Sequence, residues 1–298
     1  MSEEQRAALD QLLRNGPLDI GGDVHEQRPL LDALMTSHPL PDDVTSTTGV
    51  LGGIPVVTIE LSGLESDGVI LYFHGGGYAL GTATAAAALA SELARRAGTR
   101  AVSVDYRLAP ENPYPAALDD AVATYRGLLD GGIPASRIAL AGESAGAGLA
   151  AATLVALKGT GLPQPCAAVL MSPWIDLTLS GASVADKAAL DPALTPDGLR
   201  LRAADYLATA DAADPLASPV FADLTGLAPL LIQAGSHEIL LDDATRLAAR
   251  AAAAHVPVTL DVTPGVPHVF QGFAGILDDA DAALTRIGTF LRSHLAVK

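Results

Sequence analysis

The stretch that most constrains this chain is Ile138-Ala-Leu-Ala-Gly-Glu-Ser-Ala-Gly-Ala-Gly-Leu149. An apolar run reaches Gly142, the pentapeptide Gly142-Glu143-Ser144-Ala145-Gly146 follows, and an Ala/Leu-rich helical pattern continues to about Lys158. That reads as strand, sharp turn and helix, with a serine at the apex. The flanking glycines have a steric reason. A Cβ on either side would collide with the strand or the helix, and the serine itself sits on a strained turn. Such a turn lifts the Ser144 hydroxyl above the sheet and aims the N–H of Ala145, at a helix start, toward the same spot. The letters alone decide little. With glycine and serine each near ~7% of residues, the three fixed positions recur by chance in roughly one of ten chains this long. A small-residue turn that lets a helix pack close to a strand would use the same letters.

The surrounding chain supplies the context. Apolar, β-rich runs at Pro55–Leu61, Val69–Phe73, Ala101–Tyr106, Arg137–Ala141, Ala167–Ser172, Pro229–Ala234 and Pro257–Val262 read as strands. Helical patterns fall between most of them, at about Thr82–Ala97 with Gly98 as its cap, Pro113–Leu129, the run after Ser144, Asp242–Ala254 and Ile276–His294. Strands alternating with helices predict an α/β architecture with a mainly parallel, doubly wound sheet. The alternation fails in two places. Residues 1–50 precede any expected strand and read as two helices, 2–15 and Gln27–Thr36, closed off by Pro39 and Pro41. Residues 178–218 read as one or two helices, around 196–209, among several Pro and Asp. An insertion after a strand belongs over the carboxyl ends of the sheet, where a lid sits. The expected organisation is an N-terminal helical cap segment over 1–50 and a catalytic domain over 51–298 with a cap insertion at about 178–218.

The chain has 298 residues, nearly half hydrophobic, which is enough for one large core with an appendage. No apolar run reaches the ~20 uncharged residues of a membrane span, and the polar start Met1-Ser-Glu-Glu-Gln-Arg lacks the apolar region of a secretory signal, so the expected location is cytoplasmic. Cys166 is the only cysteine, so no intrachain disulfide forms, and it reads as a packed thiol. A formal net charge of −16 argues against nucleic acid or an anionic membrane as partner. The oligomeric state is left open by the sequence, a homodimer included.

An unactivated serine needs a base within hydrogen-bond reach, and the base needs an acid to fix its tautomer. Of seven histidines, His268 lies in Pro264-Gly-Val-Pro-His268-Val-Phe-Gln, after the last strand and before the last helix. A Pro/Gly-rich loop there holds a ring above the sheet. His25, His38, His255 and His294 fall in helices or N-terminal loops, and His237 reads as structural. Glu238, in Gly235-Ser-His-Glu238, is the first carboxylate after the strand at 229–234 and is the preferred acid; Asp242 and Asp243 suit the first turn of the next helix. Acyl chemistry also needs donors for a developing oxyanion. His74-Gly75-Gly76-Gly77-Tyr78 ends a strand and supplies candidate N–H groups at Gly75, Gly76 and Gly77, joined by Ala145. That loop arises by chance in on the order of one in several hundred chains. No G-x-G-x-x-G, Walker-type loop, H-E-x-x-H or cysteine cluster occurs, so no nucleotide, cofactor or metal is expected.

Together these stretches resemble the hormone-sensitive-lipase-like branch of the α/β-hydrolases, the bacterial carboxylesterases with an HGGG loop. The matching segments are His74-Gly-Gly-Gly-Tyr, Asp105-Tyr-Arg-Leu-Ala-Pro-Glu, Gly142-Glu-Ser-Ala-Gly, Ser172-Pro-Trp-Ile-Asp-Leu, Gly235-Ser-His-Glu-Ile-Leu-Leu-Asp-Asp and Pro267-His-Val-Phe, in the family's order over roughly 55–298. The resemblance implies an α/β-hydrolase fold with a helical cap and hydrolysis of short acyl esters, lactones included, by Ser144 as nucleophile, Glu238 as acid and His268 as base. The family's acid is more often Asp, and its elbow more often carries Asp where this chain has Glu143. Tyr78 and Trp174 are candidates to line the substrate pocket, and Asp105, Arg107 and Glu111 read as a buried ion-pair network bracing the oxyanion loop. Two other functions share these residues: an amidase or deacetylase with the same triad, and a non-catalytic small-molecule receptor on the same fold.

Overall fold

The computed structural model describes residues 2–37 and 39–295; the histidine at position 38 lies outside them. Among the described residues eight strands form one sheet: β1 (Val44–Leu51), β2 (Ile54–Leu61), β3 (Val69–Phe73), β4 (Arg100–Val104), β5 (Ile138–Glu143), β6 (Ala167–Met171), β7 (Leu230–Gly235) and β8 (Val258–Thr263). Their order is β1-β2-β4-β3-β5-β6-β7-β8. From β4 to β8 every neighbour is parallel, while β2 joins β4 and β1 joins β2 antiparallel. The helices are α1 (Ser2–Arg14), α2 (Val24–Met35), α3 (Ala87–Ala97), α4 (Ala116–Asp130), α5 (Ala145–Thr160), α6 (Ser183–Asp186), α7 (Pro196–Leu207), α8 (Leu241–Ala253) and α9 (Asp278–Leu295).

The central strands carry apolar side chains on both faces because both faces are covered. Side chains alternate along a strand, so Val69, Leu71 and Phe73 of β3 enter one core, with α4, α5 and α8. Ile70 and Tyr72 enter the other, with α3 and α9. β6 divides in the same way, Ala168 and Leu170 against Val169 and Met171. α5 is buried along nearly its whole length, which explains why its sequence shows no polar face.

Three local expectations are corrected. Val44–Leu51 is a strand rather than part of a helical segment, so a boundary at residue 50 would cut through β1. Its sequence, Val-Thr-Ser-Thr-Thr-Gly-Val-Leu, shows no apolar alternation because most of the strand is exposed at the sheet edge. α3 starts at Ala87 instead of Thr82: Thr82 Oγ1 accepts from the Ala85 N–H (3.1 Å) and Asp105 Oδ1 from the Ala83 N–H (3.0 Å), which holds a turn there. Asp105, Arg107 and Glu111 do not form a network. Arg107 reaches the buried Asp120 (2.8 Å), and the exposed Glu111 pairs with Arg28 of α2 (2.7 Å). The acid nearest Arg107 in space comes from the following helix, which local sequence does not reveal.

The N-terminal segment and the insertion touch each other and the loops at the carboxyl ends of the strands. A Cβ at Gly198 of α7 would meet Ile20 Cγ2 at 2.6 Å, so the two segments pack backbone to side chain. α7 starts where expected because Thr195 caps the Gly198 N–H (3.1 Å) and Pro196 opens the first turn. Leu9 of α1 packs with Val266 and Phe270, on either side of His268. The first turn of α8 is tied to the segment after β6, where Asp243 Oδ2 accepts from the N–H groups of Ile175 (2.8 Å) and Asp176 (3.0 Å).

Burial pushes the Asp243 carboxyl up from an ordinary 3.8 to about 8. The folded chain then binds a proton at this site more tightly than the unfolded chain. Its contribution to stability is therefore full below the unfolded value and is lost as pH rises through the folded one. Asp243→Asn keeps a carbonyl acceptor and removes the titration. Thermal midpoints from about pH 5 to about pH 9 should show the parent losing stability relative to Asp243→Asn; a pH-independent difference between the two would contradict the assignment.

Candidate active site

Ser144 occupies the turn between β5 and α5 with φ 55° and ψ −123°, a backbone conformation that a residue with a Cβ adopts only under constraint. The constraint comes from both sides. A Cβ on Gly146 would lie far inside van der Waals contact of the Phe73 and His74 carbonyl oxygens, and one on Gly142 would strike the Gly146 carbonyl. Glycine at these positions therefore lets α5 start directly against the end of β3. The turn is closed by the Ser144 N–H donating to the Met171 carbonyl (2.9 Å) and by Trp174 and Gly148 N–H groups donating to the Ser144 carbonyl (3.1 Å each).

The Ser144 hydroxyl lies 2.9 Å from His268 Nε2, and His268 Nδ1 lies 2.6 Å from Glu238 Oε2. All three side chains are at least nine-tenths buried. Since Glu238 accepts at Nδ1, that nitrogen carries the proton and Nε2 is free to accept from Ser144. The other Glu238 oxygen accepts from the Gly235 N–H (2.6 Å) and from the Ser172 hydroxyl (3.1 Å). Burial raises the Glu238 carboxyl above its ordinary value, and the hydrogen bond and charge of His268 pull it back.

The loop that carries His268 crosses the end of β7 so closely that a Cβ on Gly235 would collide with the Val266 and Pro267 carbonyls. Ser172 ties it down at the other side: its hydroxyl oxygen accepts from the Val269 N–H (3.0 Å) while its hydrogen goes to Glu238. From the insertion, the buried Asp191 accepts from the Ile239 N–H (2.9 Å), directly after Glu238. Neither residue shows this role in sequence, although Ser172 opens a segment that carries the family resemblance. Ser172 reads as the polar end of an apolar strand, and Asp191 as one of several acids in a loop.

The glycine loop divides its N–H groups. Gly75 is corrected as an oxyanion donor: its N–H is committed to Glu143 Oε1 at 2.7 Å. The N–H groups of Gly76 and Gly77 have no acceptor among the described residues, and Ala145 is the first residue of α5, where an N–H has no intrahelical acceptor. Tyr78 and Trp174 are corrected as pocket-lining residues. Both are wholly buried; Tyr78 stacks on Tyr206 of α7 with ring centroids 3.8 Å apart, and Trp174 leans against it at 6.0 Å. Aromatic surface of this size goes into the packing between the glycine loop and the insertion. Among the described residues no cluster of three or more His, Cys, Asp or Glu could hold a metal ion, and no helix is long and apolar enough to cross a membrane.

A serine, imidazole and buried carboxylate in one hydrogen-bonded line, beside unpaired backbone N–H groups, can carry out acyl transfer. Residues 70–272 match the family model of the alpha/beta hydrolase fold. The chain belongs to that family. Within it the chain falls in the hormone-sensitive-lipase-like carboxylesterases and is a carboxylic ester hydrolase. It is 48% identical over 230 residues to an acetyl-hydrolase of Streptomyces hygroscopicus, covering 77% of each chain. It is 37% identical to an esterase of Acinetobacter venetianus, over 89% of this chain and 88% of that one. Among solved structures it is similar to an esterase of the bacterial hormone-sensitive lipase family (43% identity, TM-score 0.94, 98% of each chain). EstE5, soaked with p-nitrophenyl butyrate, is similar too, at 37% identity and TM-score 0.93 over 98% of this chain and 99% of that chain.

The Ser172 contacts generate a test in this hydrolase. Ser172→Ala removes one bond to Glu238 and one to the His268 loop. Losing buried hydrogen bonds of ~1–3 kcal/mol should lower kcat about 10-fold while leaving KM nearly unchanged. Steady-state kinetics on a chromogenic ester checks this, and unchanged kcat would show that Glu238 is held well enough without Ser172.

Proposed function

We propose that the chain hydrolyses short-chain acyl esters, lactones included, through an acyl-enzyme on Ser144. The observation that carries this reading is the hydrogen-bonded line from Ser144 Oγ through His268 to Glu238. His268 Nε2 takes the hydroxyl proton as Ser144 Oγ attacks the ester carbonyl carbon. The carbonyl electrons move to oxygen, and the N–H groups of Gly76, Gly77 and Ala145 stabilise the resulting oxyanion. As the oxyanion collapses, the ester C–O bond breaks and His268 gives its proton to the departing alcohol. Water then enters and bonds to the acyl carbon as His268 takes its proton; the bond to Ser144 Oγ breaks, His268 returns the proton to that oxygen, and the acid departs from free serine. Glu238 keeps its negative charge throughout and stabilises the imidazolium formed between transfers.

Two observations favour a small acyl group. Ser144 is only 8% exposed, with the α7 side chain of Arg202 lying across the neighbouring Gly77. The relative of highest identity given above is called an acetyl-hydrolase. Amide hydrolysis uses the same line of groups but requires protonation of a poorer leaving nitrogen, so esters should turn over faster.

p-Nitrophenyl esters of rising acyl length, alongside a matched anilide, test the reading. Expected are highest kcat/KM at acetyl to butyryl, a fall with longer chains, and slower anilide turnover. Ser144→Ala should lower kcat by on the order of 10⁴-fold or more. Full activity of Ser144→Ala, or anilide turnover equal to the ester, would overturn it.

A further inference from the structure

Glu143, the residue before the nucleophile, is more than nine-tenths buried and is used by no step of the hydrolysis just described. Its two oxygens face two parts of the oxyanion machinery. Oε1 accepts from the Gly75 N–H at 2.7 Å, and Oε2 is hydrogen-bonded to the Tyr72 hydroxyl on β3. Gly75 is packed so tightly here that a Cβ on it would meet Ser144 Cβ at 3.2 Å and Glu143 Cγ at 3.3 Å. Burying a carboxyl costs several kcal/mol unless it is well paired. A cost of that kind beside a reacting serine calls for a role that packing alone does not supply.

The peptide geometry gives the role. A trans peptide is planar, with its N–H and C=O pointing in opposite directions. Glu143 holds the N–H of the peptide between His74 and Gly75. The carbonyl of the next peptide, Gly75 O, lies 2.8 Å from His74 Nδ1. That ring is buried, which lowers its basicity and keeps it neutral, so Nδ1 carries the proton donated to the carbonyl. With Gly75 O held by His74, the Gly76 N–H of the same peptide is turned the opposite way. His74 is itself fixed by stacking on Tyr106 (4.2 Å between centroids), whose hydroxyl donates to the His74 carbonyl (2.7 Å). Two consecutive peptides are thus clamped, one by each side chain; the second carries the free Gly76 N–H, and the free Gly77 N–H belongs to the peptide that follows.

We propose that Glu143 is the positioning residue of the oxyanion hole: through the Gly75 N–H it ties the glycine loop to the nucleophile turn, so that the Gly76 and Gly77 N–H groups stay directed at the carbonyl oxygen attacked by Ser144. This rests on the acyl-transfer reading above. The role is one of geometry rather than charge. Burial pushes the Glu143 carboxyl up to about 7, with Tyr72, the Gly75 N–H and His268 drawing it down. In either protonation state Oε1 remains an acceptor for Gly75. Only the Tyr72 contact changes sense: the phenol donates to the carboxylate, and the carboxylic acid donates to the phenol. Glutamine reproduces the second arrangement, its carbonyl toward Gly75 and its NH₂ toward Tyr72. Leucine has similar bulk and makes neither bond.

The test is steady-state kinetics on p-nitrophenyl acetate, with binding of a boronic acid whose tetrahedral adduct places an oxygen in the same hole. Oxyanion donors act on the transition state, so Glu143→Leu should lose on the order of 10²-fold in kcat with KM changed less than about threefold, and boronate affinity should fall in parallel. Glu143→Gln should stay within about fivefold of the parent in both. If Glu143→Leu does not fold, Tyr72→Phe gives the same reading: it frees one end of the carboxyl and should cost about three- to tenfold in kcat, again with little change in KM. Equal kcat in the leucine or phenylalanine variant and parent overturns the proposal. So does Glu143→Gln as impaired as Glu143→Leu, which would assign the role to charge near His268. Ser144→Ala run alongside separates the two levels. Activity surviving in Ser144→Ala removes the acyl-transfer reading, whereas activity lost there but kept in full in Glu143→Leu removes this proposal alone.

Discussion

The structure depends on the close approach of α5 to the end of β3. Gly142 and Gly146 let the backbone reverse within one residue, and Ser144 takes up the strain at φ 55°. A side chain at either glycine would push the helix away from the Phe73 and His74 carbonyls. The glycine loop that follows Phe73 would then lose its contact with the serine. Because the turn is built from backbone in van der Waals contact with backbone, it is rigid, and every other functional group is placed relative to it. The surrounding sheet supplies that rigidity: β3, β5, β6 and β7 are buried along their full length and paired on both sides.

From that fixed point the site is assembled by buried acids that accept backbone N–H groups. Glu143 takes Gly75, Glu238 takes Gly235, Asp191 takes Ile239, and Asp243 takes Ile175 and Asp176. Each fixes the start of a loop that leaves the carboxyl end of a strand. A carboxyl group is suited to this because its oxygens accept more than one hydrogen bond and gather N–H groups that no secondary structure satisfies. Asp191 adds a link from the insertion to the loop of Glu238, so the segment above the site and the geometry within it are mechanically joined. Leu9 and Tyr206 make comparable links, one to the His268 loop and one to the glycine loop.

The parts legible in sequence are those set by local backbone and residue type. Gly-x-Ser-x-Gly between an apolar run and a helix, three glycines after His74, and a histidine in a Pro/Gly loop all carry their geometry in a few adjacent letters. The alternation of strand and helix patterns likewise follows from a sheet covered on both faces. What sequence hid is partnership at long range. Arg107 pairs with Asp120 of the next helix and not with its neighbours in the loop. Tyr78 and Trp174 have the composition of a pocket wall but are spent on packing, Tyr78 against Tyr206 and Trp174 against Tyr78. β1 is polar because it is an exposed edge, so its pattern resembles a loop. Gly75 could not be told from Gly76 and Gly77 by type; only the contact with Glu143 separates them.

The proposed hydrolysis stands or falls with Ser144 as the residue that carries the acyl group. The most direct measurement is mass spectrometry of peptides after brief reaction with a short-chain alkyl phosphonate ester, which traps an activated serine as a stable adduct. One adduct is expected, on the peptide containing Ser144, formed in step with loss of esterase activity. An adduct on another residue, or activity lost while the Ser144 peptide stays unmodified, would contradict it.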